Sequence, residues 1–156
     1  MINIAFICTH NSCRSIMAEA LANALLSKTV IAYSAGSAPS GNINPYALEV
    51  LEKNAIDTNG LYSKSIVDLQ SIQFDVVITL CGNAKNESCP IWVGKCLKAH
   101  WGFDDPSQIT DSEKRKKAFD DLFMKLKDIL IKFAKRIELE PHELQKHITF
   151  IEKALS

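Results

Sequence analysis

The chain has 156 residues, of which 18 are basic and 18 are acidic, so its formal net charge is zero. A chain of this length can bury one substantial core, and the balanced charge argues against nucleic acid as a partner. Apolar residues make up 47% of the chain but occur in strand-length runs, so no membrane partner is expected. The N-terminus does not resemble a secretory signal. We therefore expect a single cytoplasmic domain over residues 1–156.

The first half of the chain alternates between strand and helix patterns. The predicted elements are, in order, a strand over 3–8, a helix over 13–26, a strand over 30–33, a helix over 45–54 and a short helix over 66–70. The first strand is apolar on both faces, which is typical of a buried parallel strand. Asn44 and Pro45 predict the N-cap and first turn of the second helix.

The second half repeats the alternation and ends in a helical extension. The predicted elements are a strand over 74–80, a strand over 95–101, a long helix over 110–137 and a last helix that begins at Pro141. Thr110 and Glu113 have the spacing of a capping box at the start of the long helix. The extension over 138–156 is expected to pack on the body of a monomer, although its apolar stripe could instead form a dimer contact.

Alternating strands and helices predict a three-layer α/β fold, with a parallel sheet covered by helices on both faces. Ligands of such sheets bind outside the carboxyl ends of the strands. Cys8 ends the first predicted strand, Cys81 ends the third and Asp105 follows the fourth. The fold therefore predicts that these three residues share one rim of the sheet.

The segment between the first strand and the first helix has the pattern Cys-x5-Arg. Its predicted oxyanion-binding residues are Thr9, His10, Asn11, Ser12, Cys13, Arg14 and Ser15. A tight loop before a helix turns backbone N–H groups inward and adds the positive end of the helix, which together bind a tetrahedral oxyanion. Arg14 can hold the oxyanion with two parallel hydrogen bonds. The same donors favour the thiolate form of Cys8, which makes it a candidate nucleophile.

A carboxylic acid is predicted beside this loop. Asp105 precedes Pro106, which holds it in an extended conformation at the rim of the sheet, where it could protonate a leaving oxygen. Asp104 is the second candidate for this role.

Cys81 and Cys89 favour reduction over hydrolysis. A phosphatase needs a nucleophile, an anion site and an acid, whereas reduction of an oxyanion takes two electrons and therefore at least two thiols. With arsenate in the loop, Cys8 would attack arsenic, Cys81 would attack Cys8 to release arsenite, and Cys89 would move the disulfide outward. An external dithiol would then reduce the Cys81–Cys89 bond.

Other roles for the cysteines are weaker. A zinc site could be drawn from Cys81, Cys89, Cys96 and His100, but these residues lack the short Cys-x2-Cys spacing of such sites, so no metal is expected. Cys96 is interpreted as a core residue, and Cys13 as a packing residue or a minor redox site. Glu19 is interpreted as a surface residue that could instead brace Asn11.

Several motifs resemble one known family. They are residues 6–15 with Met17-Ala18-Glu19, Tyr33-Ser34-Ala35-Gly36, residues 77–81, Cys89-Pro90, and His100 to Pro106. Over about residues 3–135 they resemble the thioredoxin-coupled arsenate reductases, which share the low-molecular-weight tyrosine phosphatase fold. The resemblance implies sheet order 2-1-3-4 and thioredoxin as the external reductant. It also implies that Ser15 stabilises the Cys8 thiolate, that Asn11 shapes the loop, and that phosphate or sulfate competes with arsenate.

The chain departs from this family at two positions. His10 stands where the loop usually has glycine, so either the local backbone differs or His10 is strained. Some members bind potassium near the positions of Asn11, Glu19 and Ser34, with an aspartate from the segment around Ser63. Lys64 takes the place of that aspartate here, so its ammonium is expected to replace the ion.

Two alternatives to the reductase remain. A phosphatase of this fold usually has tyrosines directly after the Asp-Pro of the acid, whereas this chain has Ser107-Gln108. A phosphopeptide-binding module would need neither Asp105 nor the additional thiols. Residual phosphatase activity is expected, since phosphate and arsenate have nearly the same shape.

Overall fold

The computed structural model describes residues 1–81, 96–137 and 141–155. Its strands are β1 (Ile2–Cys8), β2 (Val30–Gly36), β3 (Val76–Cys81) and β4 (Leu97–Phe103). They form one sheet in the order β2-β1-β3-β4, and every neighbouring pair is parallel. This confirms the predicted parallel sheet and its order.

Four α-helices and two 3₁₀ helices are present in the described ranges. The α-helices are α1 (Arg14–Leu25), α2 (Pro45–Lys53), α3 (Ser112–Ala134) and α4 (Pro141–Leu155). The 3₁₀ helices span Ile66–Leu69 and Pro106–Gln108. Asn44 caps α2 as predicted, since its Oδ1 accepts a hydrogen bond from Tyr46 N at 2.9 Å.

Alternate residues of β1 enter different cores on the two faces of the sheet. Ile4 and Phe6 belong to the larger core, which they share with apolar residues of all four α-helices. Ala5 and Ile7 belong to a smaller core that the 3₁₀ helix Ile66–Leu69 helps to cover. Helical segments therefore cover both faces of the sheet in the described ranges, but very unequally.

Some element boundaries differ from the predicted ones. β2 continues to Gly36, three residues past its predicted end. The capping box at Thr110 was wrong, because α3 is capped by Asp111, whose carboxylate accepts a hydrogen bond from Lys114 N at 2.9 Å. Aspartate caps a helix at least as well as threonine, and here it takes the position one residue later.

The last helix packs on the body of the protein, as expected. Trp101 Nε1 in β4 donates to the carbonyl of Ile148 in α4 at 3.3 Å. Along the outer edge of β4, Gln145 Oε1 accepts from Lys98 N at 3.3 Å, and Gln145 Nε2 donates to the Lys98 carbonyl at 3.1 Å.

No helix in the described ranges combines the length and the apolar character needed to cross a membrane.

Candidate active site

The Cys-x5-Arg segment forms a compact loop at the carboxyl end of the sheet. Cys8 is the last residue of β1, and Arg14 is the first residue of α1. Cys8 is only 4% exposed, and its Sγ lies 2.8 Å from Ser15 Oγ and accepts a hydrogen bond from Asn11 N at 3.3 Å. When Cys8 is a thiolate, the Ser15 hydroxyl must donate to it, so two donors converge on the sulfur.

The left-handed residue of this loop is Asn11 rather than His10. Asn11 has φ 47°, a conformation that asparagine tolerates better than most residues, and positive φ is not found at His10. The predicted strain at His10 was therefore wrong, and the other expectation, that the local backbone differs from that of the family, remains a prediction. The His10 carbonyl accepts from Ser40 N at 3.0 Å and from Ser63 Oγ at 3.2 Å.

A buried polar network supports the loop from below. The Asn11 amide donates to Ser15 Oγ at 2.8 Å and to Ser34 Oγ at 2.9 Å, while its Oδ1 accepts from Lys64 N at 2.9 Å. Ser34 Oγ in turn donates to Glu19 Oε1 at 3.0 Å. The network therefore links the Cys8 sulfur, through Ser15, to a carboxylate below the loop.

Glu19 and Lys64 form a buried ion pair at the base of this network. Glu19 is 7% exposed and Lys64 is 6% exposed, so the prediction of a surface Glu19 was wrong. Lys64 Nζ lies 3.4 Å from Glu19 Oε1 and donates to the Tyr62 carbonyl at 3.0 Å. Burial raises the pKa of Glu19, and the Lys64 charge and the Ser34 hydroxyl partly oppose this shift. A cation therefore lies against Glu19, as the sequence predicted, and the expectation that no potassium ion binds here remains a prediction.

A second loop, over residues 37–44, packs against the first through backbone hydrogen bonds. Ala38 N donates to Thr9 O at 2.8 Å and Asn44 N donates to Ser12 O at 3.0 Å. This approach requires glycine at position 36, since a Cβ there would lie 2.5 Å from the Thr9 carbonyl oxygen. The Cys-x5-Arg loop is therefore held from two sides, by the buried polar network and by residues 37–44.

Above the loop lies a pocket of about 110 Å³ with a largely polar lining. It is lined by Cys8, His10, Ser12, Cys13, Arg14, Ser40, Asp105 and Ser107. Arg14 is 6% exposed, and its buried Nε has no hydrogen-bond partner among the described residues. A buried N–H without a partner is costly, and a bound oxyanion would supply the missing acceptor.

Arg14 also connects the loop to the end of β4. Its Nη1 donates to the Phe103 carbonyl at 3.0 Å, and its Nη2 lies 3.5 Å from Asp105 Oδ2. Asp105 therefore lies at the pocket as predicted, whereas Asp104 is exposed and does not line it. Partial burial raises the pKa of Asp105, but hydrogen bonds from Ser107 and the Arg14 charge outweigh it and hold this pKa below its usual value.

Cys13 is a second thiol in the pocket wall. Its Sγ donates to Asp105 Oδ1 at 3.5 Å. Burial and the neighbouring Asp105 charge raise the pKa of Cys13 to about 12, so this thiol stays protonated at neutral pH. A neutral buried thiol is a poor nucleophile, which fits the predicted packing role better than the redox role.

The fold of the chain agrees with that of its relatives. The sequence model of the low molecular weight phosphotyrosine protein phosphatase family matches residues 3–146. The chain belongs to this family.

Within the family, the relatives include arsenate reductases. Arsenate reductase 2 of Staphylococcus saprophyticus is 41% identical over 111 residues, which cover 70% of this chain and 82% of the relative. A solved arsenate reductase in the phosphate binding state is 29% identical with a TM-score of 0.71, covering 88% of this chain and all of the other. The thioredoxin-dependent arsenate reductase of Corynebacterium glutamicum is 25% identical with a TM-score of 0.64, covering 88% and 64%.

The predicted relay cysteines of this family member are only partly placed by the structure. Cys81 is the last residue of β3, which pairs with β1, so both strands end at the same rim. The Cys81 side chain and the whole of Cys89 lie outside the described residues.

The structure also bears on the alternative zinc site. Cys96 is half-buried, and no group of three potential metal ligands occurs among the described residues. The predicted absence of a metal remains a prediction, because two of the four possible zinc ligands, the Cys81 side chain and Cys89, lie outside the described residues.

The contact of Ser107 with the predicted acid was not foreseen from the sequence. Ser107 donates to Asp105 Oδ1 from its backbone N at 2.9 Å and from its hydroxyl at 2.7 Å. The signal for this contact was available, because an aspartate before a turn commonly accepts from the N–H two residues on. Gly36 and Ser63 were missed for a different reason, since they support the loop through contacts distant in sequence.

Proposed function

We propose that the chain is an arsenate reductase that uses Cys8 as nucleophile and passes the oxidation through Cys81 and Cys89 to thioredoxin. The sequence relationship to arsenate reductases at about 40% identity carries this proposal. The small pocket around Cys8, with Arg14 and Asp105 in its wall, supports it independently. Phosphate and sulfate, which have the same tetrahedral shape, would compete with arsenate for the pocket.

In the first step, the Cys8 thiolate attacks the arsenic of a bound H₂AsO₄⁻ ion. The As–O bond opposite the sulfur breaks, and the leaving oxygen takes a proton from Asp105 and departs as water. The product is a Cys8–S–AsO₂(OH)⁻ adduct with arsenic still in the +5 state. Arg14 and the loop N–H groups hold the remaining oxygens and stabilise the developing charge.

In the second step, a Cys81 thiolate attacks the sulfur of Cys8. A disulfide forms between the two residues, the S–As bond breaks, and its electron pair reduces arsenic to the +3 state. Arsenite then takes up protons and leaves. Two thiols have supplied the two electrons.

The third step exports the disulfide. Cys89 attacks Cys81, which returns Cys8 as a thiolate and leaves a Cys81–Cys89 bond. The dithiol of thioredoxin then reduces this bond. The sum of all steps is arsenate plus reduced thioredoxin giving arsenite, water and oxidised thioredoxin.

We also propose that residues 1–156 act as one cytoplasmic domain and as a monomer. Residues of α4 share the larger core with α3 and β4, which supports a single unit. Thiols that must be reduced in every cycle suit the reducing cytoplasm. Light scattering should give a single species near 17.3 kDa.

The alternative function is hydrolysis of phosphoesters through a Cys8 phosphoenzyme. The family match and the Cys8, Arg14 and Asp105 arrangement favour it, because phosphoryl transfer needs only these three groups. It would need neither Cys81 nor Cys89, and the two functions are therefore separable by mutation.

The deciding experiment follows NADPH oxidation and arsenite release with arsenate, thioredoxin and thioredoxin reductase. We expect steady turnover in the wild type and none in Cys8→Ser. Cys81→Ser should stop at one arsenic adduct per chain, and Cys89→Ser should release one arsenite and stop. Cys96→Ser is the matched control and should turn over normally. Steady turnover in Cys89→Ser would refute the relay, and phosphate-ester hydrolysis without arsenite release would favour the phosphatase.

A further inference from the structure

The two carboxylate oxygens of Asp105 have very different surroundings. Oδ1 accepts from Ser107 N at 2.9 Å, from Ser107 Oγ at 2.7 Å and from Cys13 Sγ at 3.5 Å. Oδ2 has one charged neighbour, Arg14 Nη2, at 3.5 Å. One oxygen is therefore surrounded by fixed donors, and the other faces the arginine that is expected to bind the oxyanion.

Two of the three donors around Oδ1 keep their role as donors at neutral pH. The Ser107 N–H cannot change direction, since it belongs to the 3₁₀ helix that Asp105 caps. The Cys13 thiol keeps its proton at neutral pH, so it can only donate to a carboxylate oxygen. With three donors present, Oδ1 has no free lone pair that could carry a proton without breaking one of these bonds.

We propose that Ser107 and Cys13 are positioning residues that anchor Oδ1 of Asp105, so that the proton used in catalysis is carried on Oδ2. The inference rests on the proposed function, because it concerns the step in which Asp105 protonates the leaving oxygen. When an oxyanion enters the pocket, Arg14 turns from Oδ2 to the anion. Oδ2 then lies beside a negative charge instead of a positive one, which favours protonation at that oxygen.

Three other charged or titratable groups lie near Asp105. Cys8 and His10 line the same pocket, from β1 and from the loop. Arg115 lies on α3, which packs against the same 3₁₀ helix. Its guanidinium bonds the Ile109 carbonyl and the Tyr46 hydroxyl and therefore points elsewhere.

The first test is the titration of Asp105 itself, followed by NMR of ¹³C-labelled carboxyl groups and assigned with Asp105→Asn. Removing a donor from the charged form raises a carboxyl pKa. We therefore expect a higher Asp105 pKa in Ser107→Ala and in Cys13→Ala, and a return towards the wild-type value in Ser107→Thr and Cys13→Ser. Gln108→Ala, an exposed neighbour in the same turn, is the matched control and should titrate as the wild type.

The second test is the pH profile of arsenate turnover. In Ser107→Ala the alkaline limb should move to higher pH, while kcat at the optimum falls by about 3- to 10-fold because the proton is no longer fixed on one oxygen. KM for arsenate should stay within a factor of about two, since Asp105 is not the main oxyanion ligand. Ser107→Thr should restore both kcat and the alkaline limb.

The outcomes separate this inference from the proposed function. An unchanged Asp105 titration in both alanine variants overturns the positioning role, whatever the turnover. A fall in kcat without movement of the alkaline limb also overturns it, because a purely structural defect would behave in that way. Absence of arsenite release by the wild type would refute the reductase, but the NMR titration would still decide the role of Ser107 and Cys13.

Discussion

The lower and upper sides of the Cys8 loop differ in how completely their polar groups are paired. Below the loop, the Asn11 amide, Ser34 and the Glu19–Lys64 pair form a closed set of buried hydrogen bonds. Above it, Arg14 Nε has no described partner and the Arg14–Asp105 contact is long, at 3.5 Å. The lower side holds the backbone in one conformation, whereas the upper side is able to exchange partners when an anion binds.

The largest expected effect concerns the upper side. Arg14→Lys keeps the positive charge but loses the planar pair of donors, so kcat/KM for arsenate should fall by about 10²- to 10³-fold. The urea midpoint of unfolding should change little, because the lower side is intact. A variant that keeps most of its activity would mean that charge alone suffices, and that the upper side does not depend on the paired donors of Arg14.

The second effect concerns the lower side. Lys64→Met leaves the buried Glu19 carboxylate without its cation and should lower the free energy of unfolding by about 3 kcal/mol, measured by urea titration. The double variant Lys64→Met/Glu19→Gln removes both charges and should recover most of the loss. If the single variant is as stable as the wild type, the ion pair is not what holds the loop from below.

The smallest effect is a pH dependence of stability at Asp105. Its folded-state pKa lies below its unfolded value, so its contribution is present above the unfolded pKa and is lost as the pH falls through the folded pKa. Asp105→Asn should therefore reduce the loss of stability on acidification, seen as a smaller shift of the urea midpoint between neutral and acidic pH. Asp104→Asn, at the exposed neighbour, is the matched control. Its urea midpoint should shift between neutral and acidic pH by as much as that of the wild type.

The sequence predicted the elements whose determinants are local. The apolar strand before the loop, the helical spacing after it and the Asn44-Pro45 cap each act over a few residues, and all three appear as expected. The rim shared by Cys8, Cys81 and Asp105 followed from the rule for parallel sheets. These predictions needed no knowledge of distant contacts.

The errors occurred where a distant residue or a close competitor decides. Glu19 is buried because Lys64, 45 residues away in sequence, supplies its counter-charge. The observed N-cap of α3 lies one residue after the predicted one, because Asp111 follows Thr110 directly and caps a helix at least as well. The left-handed residue is Asn11 rather than His10, because the Asn11 side chain is fixed by Ser15, Ser34 and Lys64. The burial of Glu19 and the contacts of Asn11 thus depend on residues distant in sequence, whereas the cap of α3 depends on a choice between two adjacent residues.

The contact of Gln145 with Lys98 has a consequence for association between molecules. Because β4 is the last strand of the sheet, its outer N–H and carbonyl groups are where a strand from another copy would attach. The Gln145 amide already bonds both groups of Lys98, and α4 lies over that side. A second molecule could pair with β4 at Lys98 only after the C-terminal helix had moved away, so α4 blocks strand addition at this position of the edge.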